Sequence, residues 1–245
     1  LKAEWGGVVP LDAVEARLKL GRFSVVTVVH SETSTGALTD VRAVQALATR
    51  YGATCLIDSV SGVGGVPVET DAWGLDYVFT GSQKAFALPP GLAFGVASEA
   101  FLAGAAKVQD RGLYFDLVAF ETFAERSQTP NTPALPLLFA LEAQLTAMAE
   151  EGIEARWARH DAMRARVEQW VGASSLPLRI LAAAGERTST VTALALPRGV
   201  SGPAVVAEMG RRGYVIGGGY GKLSETTVRI GHMGDLGPLQ VAGTL

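Results

Sequence analysis

The chain has little of what metal, disulfide or nucleic-acid chemistry requires. One cysteine in 245 residues excludes an intrachain disulfide. Cys55 and three scattered histidines, at 30, 160 and 232, form no structural zinc spacing, so no metal is expected. The formal charge is −3, and no dense Lys/Arg stripe carries interleaved aromatics, so a phosphate backbone finds no electrostatic footprint and no nucleic-acid partner is expected. The apolar runs are too short to span a bilayer, which excludes a membrane partner of that kind. Scarce cysteine fits a reducing compartment, and the expected location is the cytoplasm. The first residues, Leu1-Lys2-Ala3-Glu4, are neither an initiator nor a signal sequence, so targeting is not legible.

Apolar residues are plentiful, at 48% of the chain, enough for one large core or for two domains. Leu11 to Leu20 carries apolar residues at helical spacing, and Gly21 stops it. The β-branched run from Phe23 to Val29 reads as a strand buried on both faces. It empties into His30-Ser31-Glu32-Thr33-Ser34-Thr35-Gly36, hydroxyl residues that either hold a polar ligand at a strand's carboxyl end or cap the next helix. Asp40 is the expected N-cap of a helix from Val41 to Tyr51. A second strand, Ala53 to Ile57, ends in Asp58-Ser59-Val60-Ser61. A third, Tyr77-Val78-Phe79, runs through Gly81-Ser82-Gln83 to Lys84 and leaves by Pro89-Pro90-Gly91.

A lysine between Gln83 and an apolar exit is either an exposed turn residue or an amine kept neutral often enough to attack a carbonyl and form a Schiff base. Asp58, ending the strand before, sharpens the second reading. Pyridoxal phosphate needs a lysine to hold its aldehyde and an acid to keep its pyridine nitrogen protonated, so that the ring acts as an electron sink.

HSETSTG at 30–36, IDSVSGVGG at 57–65 and YVFTGSQKAFALPPG at 77–91, with QTPNTP at 128–133 and VRIGHMG at 228–234, together resemble the class V pyridoxal-phosphate aminotransferases of fold type I. The similarity is to the alanine–glyoxylate and serine–pyruvate enzymes in particular. The resemblance implies an α/β large domain, a mostly parallel sheet flanked by helices, followed by a smaller α+β C-terminal domain, with pyridoxal 5'-phosphate as cofactor. It makes Lys84 the Schiff-base lysine and proton carrier, and Asp58 the partner of the pyridinium. Val60 packs on the ring, and Gln83 is a phosphate ligand. Ser34 lies near the ring's polar edge, with Thr35 its neighbour. Thr132 reaches the phosphate of a neighbouring subunit, which implies a homodimer with shared active sites. Arg229 holds the substrate carboxylate. The substrates implied are a small α-amino acid, alanine or serine, and a short 2-oxo acid, glyoxylate or pyruvate, exchanging the amino group by a ping-pong mechanism.

Two departures stand out. Thr129 occupies a place where relatives often carry a phosphate-contacting tyrosine. Complete relatives also have an N-terminal stretch, with a phosphate-cradling loop at a helix N-terminus and an aromatic on the pyridine ring, and this chain is expected to begin after it. Two alternatives to transamination remain open at this point: a cysteine desulfurase or related lyase of the same fold, or a fragment that keeps only the dimer scaffold.

Helical patterns are expected over Glu99 to Val108, Asp116 to Arg126 and Ala134 to Val171, the last with an apolar stripe of Ile153, Trp157, Val167, Trp170 and Val171 joined by Met163. Short strands at 178–181, 191–196, 214–216 and 227–230 surround a helix at 203–211. The expected boundary is near Glu150-Glu151-Gly152, giving a large domain over 1–150 and a small one over 151–245. The Gly217-Gly218-Gly219 run reads as a flexible loop, His232 as structural, and Cys55 as an inert core residue.

Overall fold

The computed structural model describes residues 1–21 and 23–245. In chain order the first half comprises helix α1 (Leu11–Leu18), strand β1 (Val25–Val29), the short pair β2 (Ser31–Glu32) and β3 (Ala37–Leu38), helix α2 (Val41–Arg50), and strands β4 (Thr54–Asp58), β5 (Tyr77–Gly81) and β6 (Ala93–Ala97). Strands β1, β4 and β5 run parallel in that spatial order, and β6 closes the sheet antiparallel to β5. Asp40 caps α2 by accepting the Ala43 N–H at 2.9 Å, as expected. Val41, Val44, Leu47 and Ala48 then face the sheet, where Cys55, Ile57 and Val78 meet them together with Val14 and Leu18 of α1. Each fully buried aliphatic side chain here contributes roughly 1.5–3 kcal/mol.

Asp76 fixes the start of β5. Its Oδ2 accepts from Gln45 Nε2 and from the Cys55 amide, both at 2.9 Å, and its own amide donates to Gln45 Oε1. That ring of bonds sets where β5 begins, and therefore where Lys84 emerges seven residues after Tyr77.

The expectation for β1 needs correction. Its residues alternate between exposed and half-buried, with Val25, Thr27 and Val29 open and only Val26 and Val28 packed on the core. Among the described residues the strand lies at the sheet's edge, with one face on the core and the other open.

The second half comprises α3 (Glu99–Ala105), α4 (Leu117–Ala124), α5 (Leu135–Glu151), α6 (Ile153–Ala173), β7 (Arg179–Ile180), β8 (Val191–Ala195), α7 (Gly202–Arg211), β9 (Gly217–Gly218), a 3₁₀ turn at Gly221–Leu223, β10 (Thr227–Gly231) and α8 (Pro238–Thr244). The long helical pattern is two helices, broken where Gly152 takes φ +82°, a conformation other L-residues avoid. The second sheet is antiparallel throughout, ordered β7-β8-β10-β9. Its core joins Leu194, Val228 and Ile230 to Met163 and Val167 of α6 and Val241 of α8.

Two further expectations are corrected. The strand placed at 214–216 is Gly217–Gly218 instead, within the glycine run. On α6 the buried stripe is Arg156, His160, Met163 and Val167, while Ile153 is exposed. Two polar side chains take the inward face because each finds hydrogen-bond partners there.

Candidate active site

Parallel pairing brings the carboxyl ends of β1, β4 and β5 to one edge, where open α/β sheets gather their ligands. Those ends deliver His30, Asp58 and the turn carrying Lys84. Ser82 folds that turn back on itself. Its hydroxyl donates to the Pro89 carbonyl at 2.7 Å and accepts from the Leu92 amide at 3.2 Å, and its carbonyl accepts the Leu88 N–H. The Pro-Pro-Gly exit is thereby pinned under the lysine.

Lys84 is half-buried and its Nζ donates to Ser61 Oγ at 3.1 Å. Ser61 Oγ also lies 2.5 Å from Thr33 Oγ1, and the Ser61 carbonyl accepts from Thr190 Oγ1 at 2.6 Å. Asp58 turns its Oδ1 onto the Val60 amide at 3.0 Å, and the Val60 carbonyl accepts from Thr80 Oγ1. This carboxylate therefore caps the turn that presents Ser61, leaving Oδ2 without a protein partner among the described residues. Neither Asp58, Lys84 nor Arg229 forms an ion pair among the described residues. A charged group left unpaired at a strand end is available to a ligand.

Arg229 arrives from the other sheet. It sits inside β10, half-buried, with Nε donating to the Gly218 carbonyl at 2.7 Å and Nη1 to the Thr33 carbonyl at 3.4 Å. Thr33 thus links the two groups, its hydroxyl bonded to the Ser61 that holds Lys84 and its carbonyl to the arginine.

The remaining expected residues are less engaged. Val60 is half-buried beside Asp58, and Gln83 is exposed next to Lys84. Ser34 donates its amide to Glu32 Oε1, and its hydroxyl joins no bond with Lys84 or Asp58 among the described residues. Thr132 is exposed on the segment leading into α5, and Thr129 donates to the Asn131 carbonyl. Sequence reasoning missed Thr33 and Ser61. Both stand in the hydroxyl-rich runs after β1 and β4, but nothing in those runs says which hydroxyl turns toward the lysine.

Arg156 was also missed. Only 2% exposed, it donates to the Ala85 carbonyl at 2.6 Å and bridges Glu151 and Asp235 at 2.7 and 3.0 Å. It joins α6 to the residue after Lys84 and to the loop after β10. A second seam is made of hydroxyls: Ser31 donates to Thr188 Oγ1 at 2.8 Å, and Thr188 lies 3.0 Å from Thr190, all three buried.

All three histidines are buried and held in the neutral form at neutral pH. Burial holds His30 and His232 each at about 4, and it lowers His160 as well. Burial also pushes the Cys55 thiol up to about 12, which keeps it protonated and inert.

The donor set fits pyridoxal phosphate on its own chemistry. Lys84 offers an amine for the aldehyde, Asp58 a free carboxylate oxygen for the pyridinium, and Val60 an apolar side chain for the ring. The Ser61 hydroxyl, bonded to Thr33, stands at the Lys84 amine, and no cluster of three or more metal-ligating side chains exists among the described residues. The sheet brings a lysine just beyond one strand and an aspartate ending its parallel neighbour to the same edge.

Comparison with known proteins narrows the class. The profile of the class V aminotransferase family matches residues 1–221. An uncharacterised aminotransferase of Methanocaldococcus jannaschii is 36% identical over all of this chain, which spans 64% of that protein. The serine–glyoxylate aminotransferase of Methylorubrum extorquens is 32% identical over 99% of this chain and 63% of its own length. The crystal structure of an alanine–glyoxylate aminotransferase from Nostoc superposes on the whole chain with a TM-score of 0.93 at 28% identity, with 66% of that protein covered. The chain belongs to the class V aminotransferase family, and it spans a little under two thirds of the length of the curated relatives it matches.

Proposed function

We propose that the protein transfers an amino group between a small α-amino acid, alanine or serine, and a short 2-oxo acid, glyoxylate or pyruvate, using pyridoxal 5'-phosphate. The observation that carries this reading is the Lys84 amine held at 3.1 Å by Ser61 Oγ, in one loop cluster with an Asp58 carboxylate that no cation pairs with among the described residues. The cofactor, when bound, supplies an electron sink for the bond broken at the substrate α-carbon. The chain's own residues do the rest. Asp58 holds a proton on the ring nitrogen, since a nearby carboxylate favours the charged form. Val60 keeps water from one ring face. Ser61, itself bonded to Thr33, orients the Lys84 Nζ, which would carry the proton between the substrate α-carbon and C4′ of the cofactor. Arg229 grips the substrate carboxylate in a planar fork that a lysine could not reproduce.

Gln83 and Ser34 are assigned to the cofactor's polar rim, and Thr132 to the phosphate of a second copy. Exposure of Gln83 and Thr132 in the single chain supports that assignment. A homodimer with shared sites follows from it. The division into a large domain, 1–150, and a small one, 151–245, is proposed on the change from parallel to antiparallel sheet across the α5–α6 hairpin. No described helix is long and apolar enough to cross a membrane; a cytoplasmic location is part of the same proposal. Desulfurase chemistry is disfavoured because it needs a reactive mobile thiol, and Cys55 is fully buried in β4.

The test is a borohydride-treated holoenzyme digested and mapped, beside a panel of alanine and serine donors against glyoxylate and pyruvate. The cofactor adduct is expected on the Lys84 peptide. An adduct on another lysine, or no amino transfer to either oxo acid, overturns the reading.

A further inference from the structure

The glycine run before Tyr220 is not a slack loop. Gly217 and Gly218 form β9 against β10, in register with Arg229 and Val228. The space is tight at two of the three glycines: a Cβ on Gly217 would stand 3.1 Å from Arg229 Nη2 and 3.3 Å from its Cζ, and one on Gly219 would stand 2.2 Å from the Leu223 carbonyl oxygen. Backbone therefore approaches the guanidinium closely on one side. On another lies Tyr220, with Arg229 Cζ 3.9 Å from the ring centroid. The Gly218 carbonyl takes Nε and the Thr33 carbonyl takes Nη1, while Nη2 has no protein acceptor among the described residues. Three contacts fix the plane of the guanidinium and leave part of its donor fork free.

We propose that Tyr220 is a positioning residue for the substrate carboxylate, acting through Arg229. Its ring occupies a guanidinium face, so a carboxylate approaches in the plane of the fork, where two parallel N–H···O bonds form. The ring quadrupole also holds the cation where water would otherwise compete. This deepens the proposed function and rests on Arg229 binding the carboxylate. Tyr220 is itself 55% exposed, so its replacement leaves the core intact.

The experiment compares the parent holoenzyme with Tyr220→Leu, Tyr220→Phe and Arg229→Lys. It measures KM and kcat in each half-reaction, and the inhibition constant of propionate, a carboxylate with neither amino nor oxo group. Tyr220→Leu is expected to raise both KM values and the propionate constant about tenfold, with kcat changed less than about twofold, and Tyr220→Phe to restore parental values. No weakening in Tyr220→Leu, equal weakening in Leu and Phe, or a fall confined to kcat overturns the proposal. Arg229→Lys separates the two levels of the argument. If it leaves the propionate constant unchanged, the carboxylate role of Arg229 itself has failed. If it weakens propionate while Tyr220→Leu does not, only the role of Tyr220 has failed.

Discussion

The two sheets contribute to the site in opposite ways. The parallel sheet delivers Asp58 at the last residue of β4 and Lys84 three residues beyond β5, whereas the antiparallel sheet delivers Arg229 from inside β10. A residue inside a paired strand inherits its position from the register, here Arg229 opposite Ala193 on one side and Gly217 on the other. A residue on a loop inherits nothing and must be held by contacts from elsewhere. The loop bearing Lys84 is accordingly tied down by Ser82 within the turn, Ser61 at the amine and Arg156 at the next carbonyl. Chemistry placed beyond a strand thus depends on distant parts of the chain, and chemistry placed within one depends on its immediate neighbours.

The largest way to test that contrast is to release the loop. Arg156→Met removes a buried cation that satisfies Glu151, Asp235 and the Ala85 carbonyl at once, and breaking such a pair costs about 3 kcal/mol. A fall in Tm of roughly 6–12 °C is expected for a domain of this size. Because the same guanidinium holds the residue after Lys84, borohydride trapping at Lys84 should slow in the folded variant, while propionate binding through Arg229 stays within about twofold. Equal loss at both groups would show that loop-borne and strand-borne positions are not independently supported.

A smaller effect is expected from Asp58→Asn. Asp58 sits at the boundary between strand and loop, and its side chain makes one bond among the described residues, to the Val60 amide. An amide oxygen can still accept that bond, so Tm should move by less than about 3 °C. The charge it supplies to the ring nitrogen is lost, and a charge-assisted bond of about 1.5–3 kcal/mol corresponds to a kcat lowered roughly 10- to 150-fold. A large stability loss without a rate loss would make Asp58 a turn cap and nothing more.

How legible this arrangement is from sequence follows the same division. Strands and helices with strong periodicity or a clear cap, such as α2 behind Asp40 and β4 through Ile57, are where the residue pattern puts them, because local propensity and burial agree. Lys84, Asp58 and Arg229 stand out by type and motif. The long-range supports do not. Arg156 reads as a surface helix residue because its partners, Ala85 and Asp235, lie 71 and 79 positions away. The β1 strand reads as buried because Val and Thr favour strands at an edge as well as in the middle. The glycine run reads as flexible because sequence shows small residues but not the guanidinium and carbonyl that crowd them.

The last test changes no residue and lies at the two strand exits, where each sheet keeps a buried histidine. His30 follows β1 with Nδ1 2.9 Å from Ser59 Oγ, and His232 follows β10 with Nε2 2.8 Å from Thr192 Oγ1. Burial lowers both from the ordinary 6.5 to about 4. Between those values the unfolded chain binds protons that the folded chain does not, so stability rises with pH there. The contribution is fully present above about pH 6.5 and is lost as pH falls toward 4, by about 3 kcal/mol for each histidine. Neither imidazole should show a shift in its ring-proton NMR signal from pH 8 down to about pH 5, while Tm declines below about pH 6.5. A midpoint near 6.5 for His30 alone would mean that the end of the parallel sheet is open to water where the antiparallel sheet is closed. The loop-borne side of the site would then be even more dependent on its distant clamps than the contacts of Arg156 and Ser61 imply.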